Sequence, residues 1–233
     1  ILSVNNQSYK NFEYIIVDGL SSDNTVKIIK RYDTLISKWI SEKDDGALDA
    51  IGRGIAMAKG EIIFLLSADD WITEDTLDAI NDGFNVNEQS SFIYGDMIMV
   101  SKNKQIIVNG DIDYKVNIKK GIPKFNYPTL ACRRLIYENL GLYTTTFPWN
   151  ADYEYLIRIF KNDFEGSYVE KFKVFRTVGG KGESNMFAGM IDTLLINYHH
   201  NLPVFMPSIR IFSSAFIIYL KITLSKFKKV LIK

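Results

Sequence analysis

Cysteine is nearly missing from this chain: Cys132 stands alone among 233 residues. One thiol can close no intrachain disulfide and can build no cysteine-ligated zinc cluster, so a stapled secreted scaffold is excluded and a reducing compartment is the simpler expectation. Neither sign of charge predominates. With 28 Lys and Arg against 27 Asp and Glu, the formal net charge is +1, without the cationic excess on which nucleic-acid binding normally rests. Long apolar runs are missing too: the longest uncharged run of the C-terminal segment, residues 211–220, has ten residues, where roughly 20 are needed to cross a bilayer as a helix. No internal repeat or low-complexity tract occurs. The opening "ILSVNNQSYKNFEY" has neither a starting methionine nor the charged-then-apolar pattern of a signal peptide, and it reads as a chain that lacks its true beginning.

What is present suits one α/β core with a tail, since 47% of the residues are hydrophobic and the length allows a substantial interior. "FEYIIVDG" (12–19) predicts a strand stopped by Asp18-Gly19, and "SSDNTVKIIKRY" predicts a helix with Ser and Asp at its start. A short element near "SKWISE" (37–42) precedes a helix over "ALDAIGRGIAMAKG", ended by Gly60, and then a strand "EIIFLLSA". This alternation predicts a mostly parallel central sheet flanked by helices, in which ligands bind beyond the carboxyl ends of the strands. "WITEDTLDAINDGF" (71–84) predicts a helix with Thr73 as cap and Glu74 and Asp75 in its first turn. Residues 90–110 predict a strand and a hairpin around "SKNK", and the segment 111–150, with Pro123, Pro128 and Pro148, predicts loops that shape a substrate site.

Asp69 and Asp70 then fall at the end of a buried strand, where adjacent carboxylates repel unless a cation, a cluster of N–H groups or a proton relieves them. A hard divalent cation, Mg²⁺ or Mn²⁺, does this while completing its shell with water and substrate phosphates. The plainer alternative is that both acids only favour the positive end of the following helix.

Context favours the cation. The ordered stretches "QSYKNFEYIIVDGLSSDNT", "SEKDDGALDAIGRGIAMAKGEIIFLLSADD", "YGD" at 94–96, "NADYEYLIRI" at 150–159 and "VFRTVGG" at 174–180 resemble the family-2 glycosyltransferases of the GT-A fold. The resemblance implies that Asp18 binds the base of a nucleotide-diphosphate sugar, that Asp44, Gly46 and Asp49 lie around its ribose and diphosphate, and that Asp70 is the metal ligand of a DxD-type motif, with Asp69 beside it in the sugar pocket. It also implies a GT-A (Rossmann-like) sheet and inverting transfer of the sugar to a hydroxyl of a glycan or lipid-linked acceptor. Four departures stand out: the apolar first strand usual in the family is not in this chain, Gly52 stands where Asn is common, Ala68 replaces a common Ser or Asp, and Tyr127 stands where a His is common.

Helix geometry selects the base. In "ADYEYLIRIF", Tyr153, Leu156, Ile157 and Phe160 have the spacing of a buried face, Asp152 sits beside it in the first turn, and Glu154 lies about 200° further round, four residues before Arg158. Glu154 is therefore expected in a solvent-exposed i,i+4 pair, and Asp152 as the group that takes the acceptor's proton. His199-His200, without acidic or cysteine partners at metal spacing, are expected at the surface.

These readings divide the chain into a donor-binding half (1–110), an acceptor and catalytic-base half (111–200) and an amphipathic basic helical tail (201–233). The tail carries Lys221, Lys226, Lys228, Lys229 and Lys233 among aromatic and aliphatic residues, which suits residues 209–233 to lying in an anionic membrane interface. The expected location is the cytoplasmic face of the cell membrane. Two other classes remain open at this stage: a nucleotide-sugar binding module without turnover, and a receiver-type phospho-signalling domain, which also gathers acids at strand ends.

Overall fold

The computed structural model describes residues 1–101, 104–178 and 186–204; the proposed membrane segment 209–233 lies outside the described residues. After the short helix α1 (Leu2–Asn5), the first layer is a parallel pair, β1 (Ile15–Asp18) and β2 (Lys38–Ser41), joined through α2 (Thr25–Arg31). The β-branched run at 15–17 favours the extended chain, and Asp18 ends it.

Helix α3 (Ala47–Met57) packs on β1. Its Gly46 cap has φ 110°, a left-handed conformation open to glycine. The helix ends at Met57, before the expected Gly60, because Glu13 accepts the N–H groups of Lys59 and Gly60 and turns the chain away.

The main sheet has the order β3 (Ile62–Phe64), β7 (Ala131–Arg133), β5 (Phe92–Ser101), β8 (Gly166–Thr177), β4 (Asp70–Ile72), with β6 (Lys104–Val108) on the distal part of β5. Only β5–β8 is parallel in this sheet. The α/β class and the flanking helices stand, but the sheet is mixed where a mostly parallel one was expected. Parallel neighbours need long crossovers; the β5–β6 hairpin reverses direction locally, and β4 and β7 are three-residue strands set antiparallel to their neighbours. The expected hairpin is present, with its two tip residues outside the described set.

Alternating residues supply two cores. Phe92, Tyr94 and Cys132 join Tyr153, Tyr155 and Leu156 of α7 (Ala151–Lys161) on one face, whereas Ile93, Ala131, Phe172 and Val174 join Ile80 and Phe84 of α4 (Thr76–Val86) on the other. Gly83 allows that second contact, since a Cβ there would sit 2.7 Å from Val169 and 3.0 Å from Ile93. The segment expected as loops also contains α5 (Tyr114–Lys119) and α6 (Arg134–Leu140), and α8 (Met186–His199) follows β8.

Residues 61–84 depart from expectation. The strand stops at Phe64, and residues 70–72, expected to finish a strand and begin a helix, instead form β4 against β8. Helix α4 therefore begins at Thr76, and Thr73 does not cap it; the Thr73 hydroxyl bonds Asp75. The cap comes from a distance: the buried Gln7 side chain accepts the N–H of Leu77 at 2.9 Å while donating to the carbonyls of Ser3 and Thr73 at 2.8 and 2.6 Å.

Candidate active site

Two groups of carboxylates gather at the ends of these strands. At the end of β1 the chain turns through Gly19 and Leu20, and the Asp18 carboxylate accepts from Ser21 N–H, from the Ser21 hydroxyl and, at 2.6 Å, from the Ser41 hydroxyl at the end of β2. Burial would raise its pKa, but the serine hydroxyls and the Ser21 and Leu20 N–H groups outweigh that and hold it low.

Gly19 touches the next loop so closely that a Cβ would lie 2.3 Å from the Asp44 carboxylate. Asp44 in turn accepts from Gly46 N–H at 3.0 Å. Asp49 accepts from Asp45 N–H and pairs with Arg53 at 2.8 Å, so it closes the first turn of α3 and is held ionised. Asp18 thus closes the carboxyl end of β1, with the Asp44 carboxylate against Gly19 and with Gly46 and Asp49 at the start of α3.

The second group is centred on Arg176. Asp70 opens β4 directly opposite Arg176 of β8, while Asp69 occupies the exposed turn before it and its carbonyl accepts from the Thr177 hydroxyl. Asp70 Oδ1 is buried and has no hydrogen-bond partner. Burial first and the neighbouring Asp69 second push the Asp70 carboxyl up to about 6, against the opposing charge of Arg176.

Asp152 is the second residue of α7 and accepts from Tyr153 N–H at 2.8 Å. Burial pushes it up to about 6 as well, opposed by backbone N–H groups and by the same Arg176. A strand-end acid and a helix acid, far apart in sequence, are therefore both influenced by the charge of Arg176. Arg176 escaped the sequence reading: it lies in the matched "VFRTVGG" stretch, but only the β4–β8 register puts it opposite Asp70.

Glu154 corrects an expectation. It is buried, not exposed, with Arg158 Nε at 3.0 and 3.1 Å from its two oxygens and His200 Nε2 at 3.1 Å. Burial would raise its pKa, but His200 and Arg158 hold it low. The reason is that α7 is covered on nearly all sides: Arg158 also donates to the carbonyls of Leu140 and Leu142, closing the loop after α6 over that face. His200 accordingly leaves the surface expected of it, whereas His199 is exposed.

Among the described residues no three His, Cys, Asp or Glu side chains converge as a ready metal cage. The unpartnered Asp70 Oδ1 fits the other kind of site, in which one or two carboxylates hold Mg²⁺ or Mn²⁺ and phosphates and water complete the shell.

The sequence profile of glycosyl transferase family 2 matches residues 1–139. A PGL/p-HBAD biosynthesis glycosyltransferase of Mycobacterium tuberculosis is 31% identical over 170 residues, which are 69% of this chain and 62% of that protein. The chain belongs to glycosyl transferase family 2. Membership removes the receiver-domain alternative. A second relative, the Escherichia coli UDP-Glc:alpha-D-GlcNAc-diphosphoundecaprenol beta-1,3-glucosyltransferase WfaP, is 26% identical over 84% of this chain and 80% of its own length.

Among solved structures, Staphylococcus aureus TarS 1-349 in complex with UDP-GlcNAc superposes with TM-score 0.67 at 16% identity, covering 88% of this chain and 64% of that one. The mannosyltransferase PcManGT of Pyrobaculum calidifontis, in complex with GDP-Man and Mn²⁺, gives TM-score 0.59 at 20% identity, covering 82% and 54%. These likenesses establish the GT-A fold. The chain spans 62% of the length of the mycobacterial relative.

Proposed function

We propose that this family-2 chain transfers a sugar from a nucleotide-diphosphate donor to a hydroxyl of a glycan or lipid-linked acceptor, with inversion. The observation that carries the reading is the buried, unpartnered oxygen of Asp70, a strand-end carboxylate opposite Arg176 in the β4–β8 register, together with Asp152 at the start of a buried helix.

Asp70 would hold Mn²⁺ or Mg²⁺, with Asp69 beside it facing the donor sugar. When bound, the metal supplies positive charge to the departing nucleotide diphosphate. Asp18 would bind the base, and Asp44, Gly46 and Asp49 would lie around ribose and diphosphate. Asp152 takes the acceptor hydroxyl's proton as that oxygen attacks the anomeric carbon, and the nucleotide leaves from the opposite face. A carboxylate poised at about 6 is ionised at neutral pH yet more basic than an ordinary Asp, which suits a general base. Arg176 keeps the site's negative charge balanced.

The division into a donor half (1–110) and an acceptor half (111–200) belongs to the same proposal. So does peripheral attachment through residues 209–233 at the cytoplasmic face of the membrane, which would bring a lipid-linked acceptor within reach. No helix among the described residues is long and apolar enough to cross a membrane. The mycobacterial and Escherichia coli relatives, by their names, act in PGL/p-HBAD biosynthesis and on a diphosphoundecaprenol-linked sugar.

The test is a thermal-shift panel of UDP-, GDP-, dTDP- and CMP-sugars with Mn²⁺ on the full chain, followed by a transfer assay. Metal-dependent stabilisation by one donor with turnover supports the reading. Stabilisation without any turnover would favour a binding module, and no response to any donor would sink both.

A further inference from the structure

Helix α8 has its polar side buried and its apolar side out. On the inner side the Trp149 N–H donates to Asp192 at 2.8 Å, Asn150 Nδ2 donates to the Gly189 carbonyl at 2.6 Å and to the Thr193 hydroxyl at 2.8 Å, and the Tyr153 hydroxyl donates to Asn197 Oδ1 at 2.8 Å. These bonds fix α8 to the start of α7. On the outer side Phe187, Ile191, Leu195 and Tyr198 follow the spacing of a single helix face and are 52, 41, 50 and 79% exposed. Asp192 is the only Asp, Glu, Lys or Arg among residues 186–199, and it is buried. A helix that faces water turns its polar residues outward; α8 spends them on α7 and leaves four large apolar or aromatic side chains to the medium.

The surroundings decide among the occupants such a face could have. The four side chains expose on the order of 400 Å², half of the roughly 800 Å² that each partner gives to a stable protein–protein contact. A second copy of this chain is poorly served by that area. The stripe has an aromatic ring at each end, Phe187 and Tyr198, with Trp149 exposed next to the residue bonded to Asp192. Cations gather where it finishes: Lys161 donates to the His200 carbonyl at 2.7 Å, and Lys119 and Lys120 precede Gly121, whose carbonyl accepts from Asn197 Nδ2 at 2.9 Å. All three lysines are exposed. An aliphatic centre, Tyr and Trp at the margins and lysines at one end complement an anionic membrane interface, where amphipathic rings sit at headgroup level and each nearby Lys attracts anionic lipid.

We propose that the outer face of α8 is a lipid-contact surface, with Ile191 and Leu195 at the acyl boundary and Lys119, Lys120 and Lys161 at the anionic headgroups. It adds a folded surface to the peripheral attachment proposed above and rests on that reading. Because α8 is bonded to the first turn of α7, which carries Asp152, the same contact would hold the proposed base at a fixed height over the membrane.

The test is flotation of the full chain with two kinds of vesicle, phosphatidylcholine alone and phosphatidylcholine with phosphatidylglycerol in equal parts. The double variant Ile191→Gln, Leu195→Gln should lower partition onto both by roughly tenfold or more. Lys119→Gln with Lys120→Gln should lower the preference for the anionic vesicles by roughly tenfold and leave the neutral ones alone. All four positions are exposed, so Tm should stay within about 2 °C of wild type. An environment-sensitive fluorophore on Leu195→Cys should shift to the blue when vesicles are added. One on Val86→Cys, exposed at the end of α4 on the other face of the main sheet, should not shift; Cys132 is buried and stays unlabelled.

If the Ile191→Gln, Leu195→Gln variant floats within twofold of wild type, the proposal is overturned and attachment rests on residues 209–233 alone. A wild-type dimer in sedimentation velocity that this variant dissolves would overturn it too, by giving the stripe to a second copy. So would a label on Leu195→Cys that is already blue-shifted without vesicles and unmoved by them, which gives the stripe to the chain's own C-terminal segment. Wild-type protein that floats with neither vesicle would instead remove the reading of peripheral attachment, and this one with it.

Discussion

The β1–β2 pair and the larger sheet both present a carboxylate, Asp18 where β1 ends and Asp70 where β4 opens, but they hold them in opposite ways. In β1 and β2 every residue except Asp18 is only half-buried, whereas Phe92–Asp96 of β5 are buried without interruption. On the thinly covered pair, Asp18 is surrounded by serine hydroxyls and held low. At the edge of the sheet that β5 centres, Asp70 of β4 has an unpartnered oxygen and, like Asp152 of α7, is pushed up to about 6. Satisfied charge thus goes with the weak scaffold and unsatisfied charge with the strong one. That is the distribution expected where the strong scaffold must hold polar groups ready for a transition state without letting them relax.

The contrast is most directly broken by hydrogen exchange. Amides of β5–β8 should exchange more than about 10³-fold more slowly than those of β1–β2, since protection follows burial and local cooperativity. Equal protection would mean that the two sheets open as one unit.

Next in size is Asp152→Asn, which keeps the shape but cannot accept a proton: transfer should fall by about 10²-fold or more while donor affinity stays near wild type. Asp70→Ala should act on the other quantity, abolishing metal-dependent nucleotide binding without lowering Tm, because it removes a buried oxygen that had no partner. Calorimetry on both variants checks the division of labour; a swap of the two phenotypes would invert the assignment.

Glu154→Gln probes packing rather than chemistry. It leaves Arg158 and His200 facing a neutral group, and urea unfolding should show a loss of about 2 kcal/mol, against the few tenths expected of an exposed pair.

The smallest effect is in pH. Both Asp70 and Asp152 have folded values raised to about 6, above an unfolded Asp near 3.9, so the folded state takes up protons first. Their contribution to stability is complete below the unfolded value and is lost as pH rises through about 6. Acidification from pH 7.5 to 5 should therefore raise Tm by about 2–4 °C, after allowance for solvent screening. Asp18 and Glu154, held low, oppose this only at still lower pH, where their ionised forms are lost. The double variant Asp70→Asn, Asp152→Asn should abolish the rise.

How much of this could be read from the sequence follows the range of the forces involved. β1, α2, the β5–β6 hairpin and α7 rest on local signals, and all were legible. β4 was not: "DWI" is three residues long and becomes a strand only by pairing with residues 174–176, a hundred positions away. Its neighbours then read as helix. Glu154 was misplaced for a related reason, since the 3.6-residue period assumes a helix with one wet face, and α7 has seven buried residues among eleven. Of the candidate site, the carboxylates were picked out by the family resemblance, and Asp152 by helix geometry as well, while Arg176 emerges only once the sheet is closed.

Gln7 sets a limit on how this chain can vary. One side chain must donate twice, to Ser3 and Thr73, and accept once, from Leu77. Glutamate of the same length keeps the acceptor and loses both donors, lysine keeps donors and loses the acceptor, and asparagine has the right groups on too short an arm. With only two rungs of β4 between Thr73 and the Asp70–Arg176 pair, saturation mutagenesis scored on nucleotide binding should find position 7 nearly as intolerant of replacement as position 70.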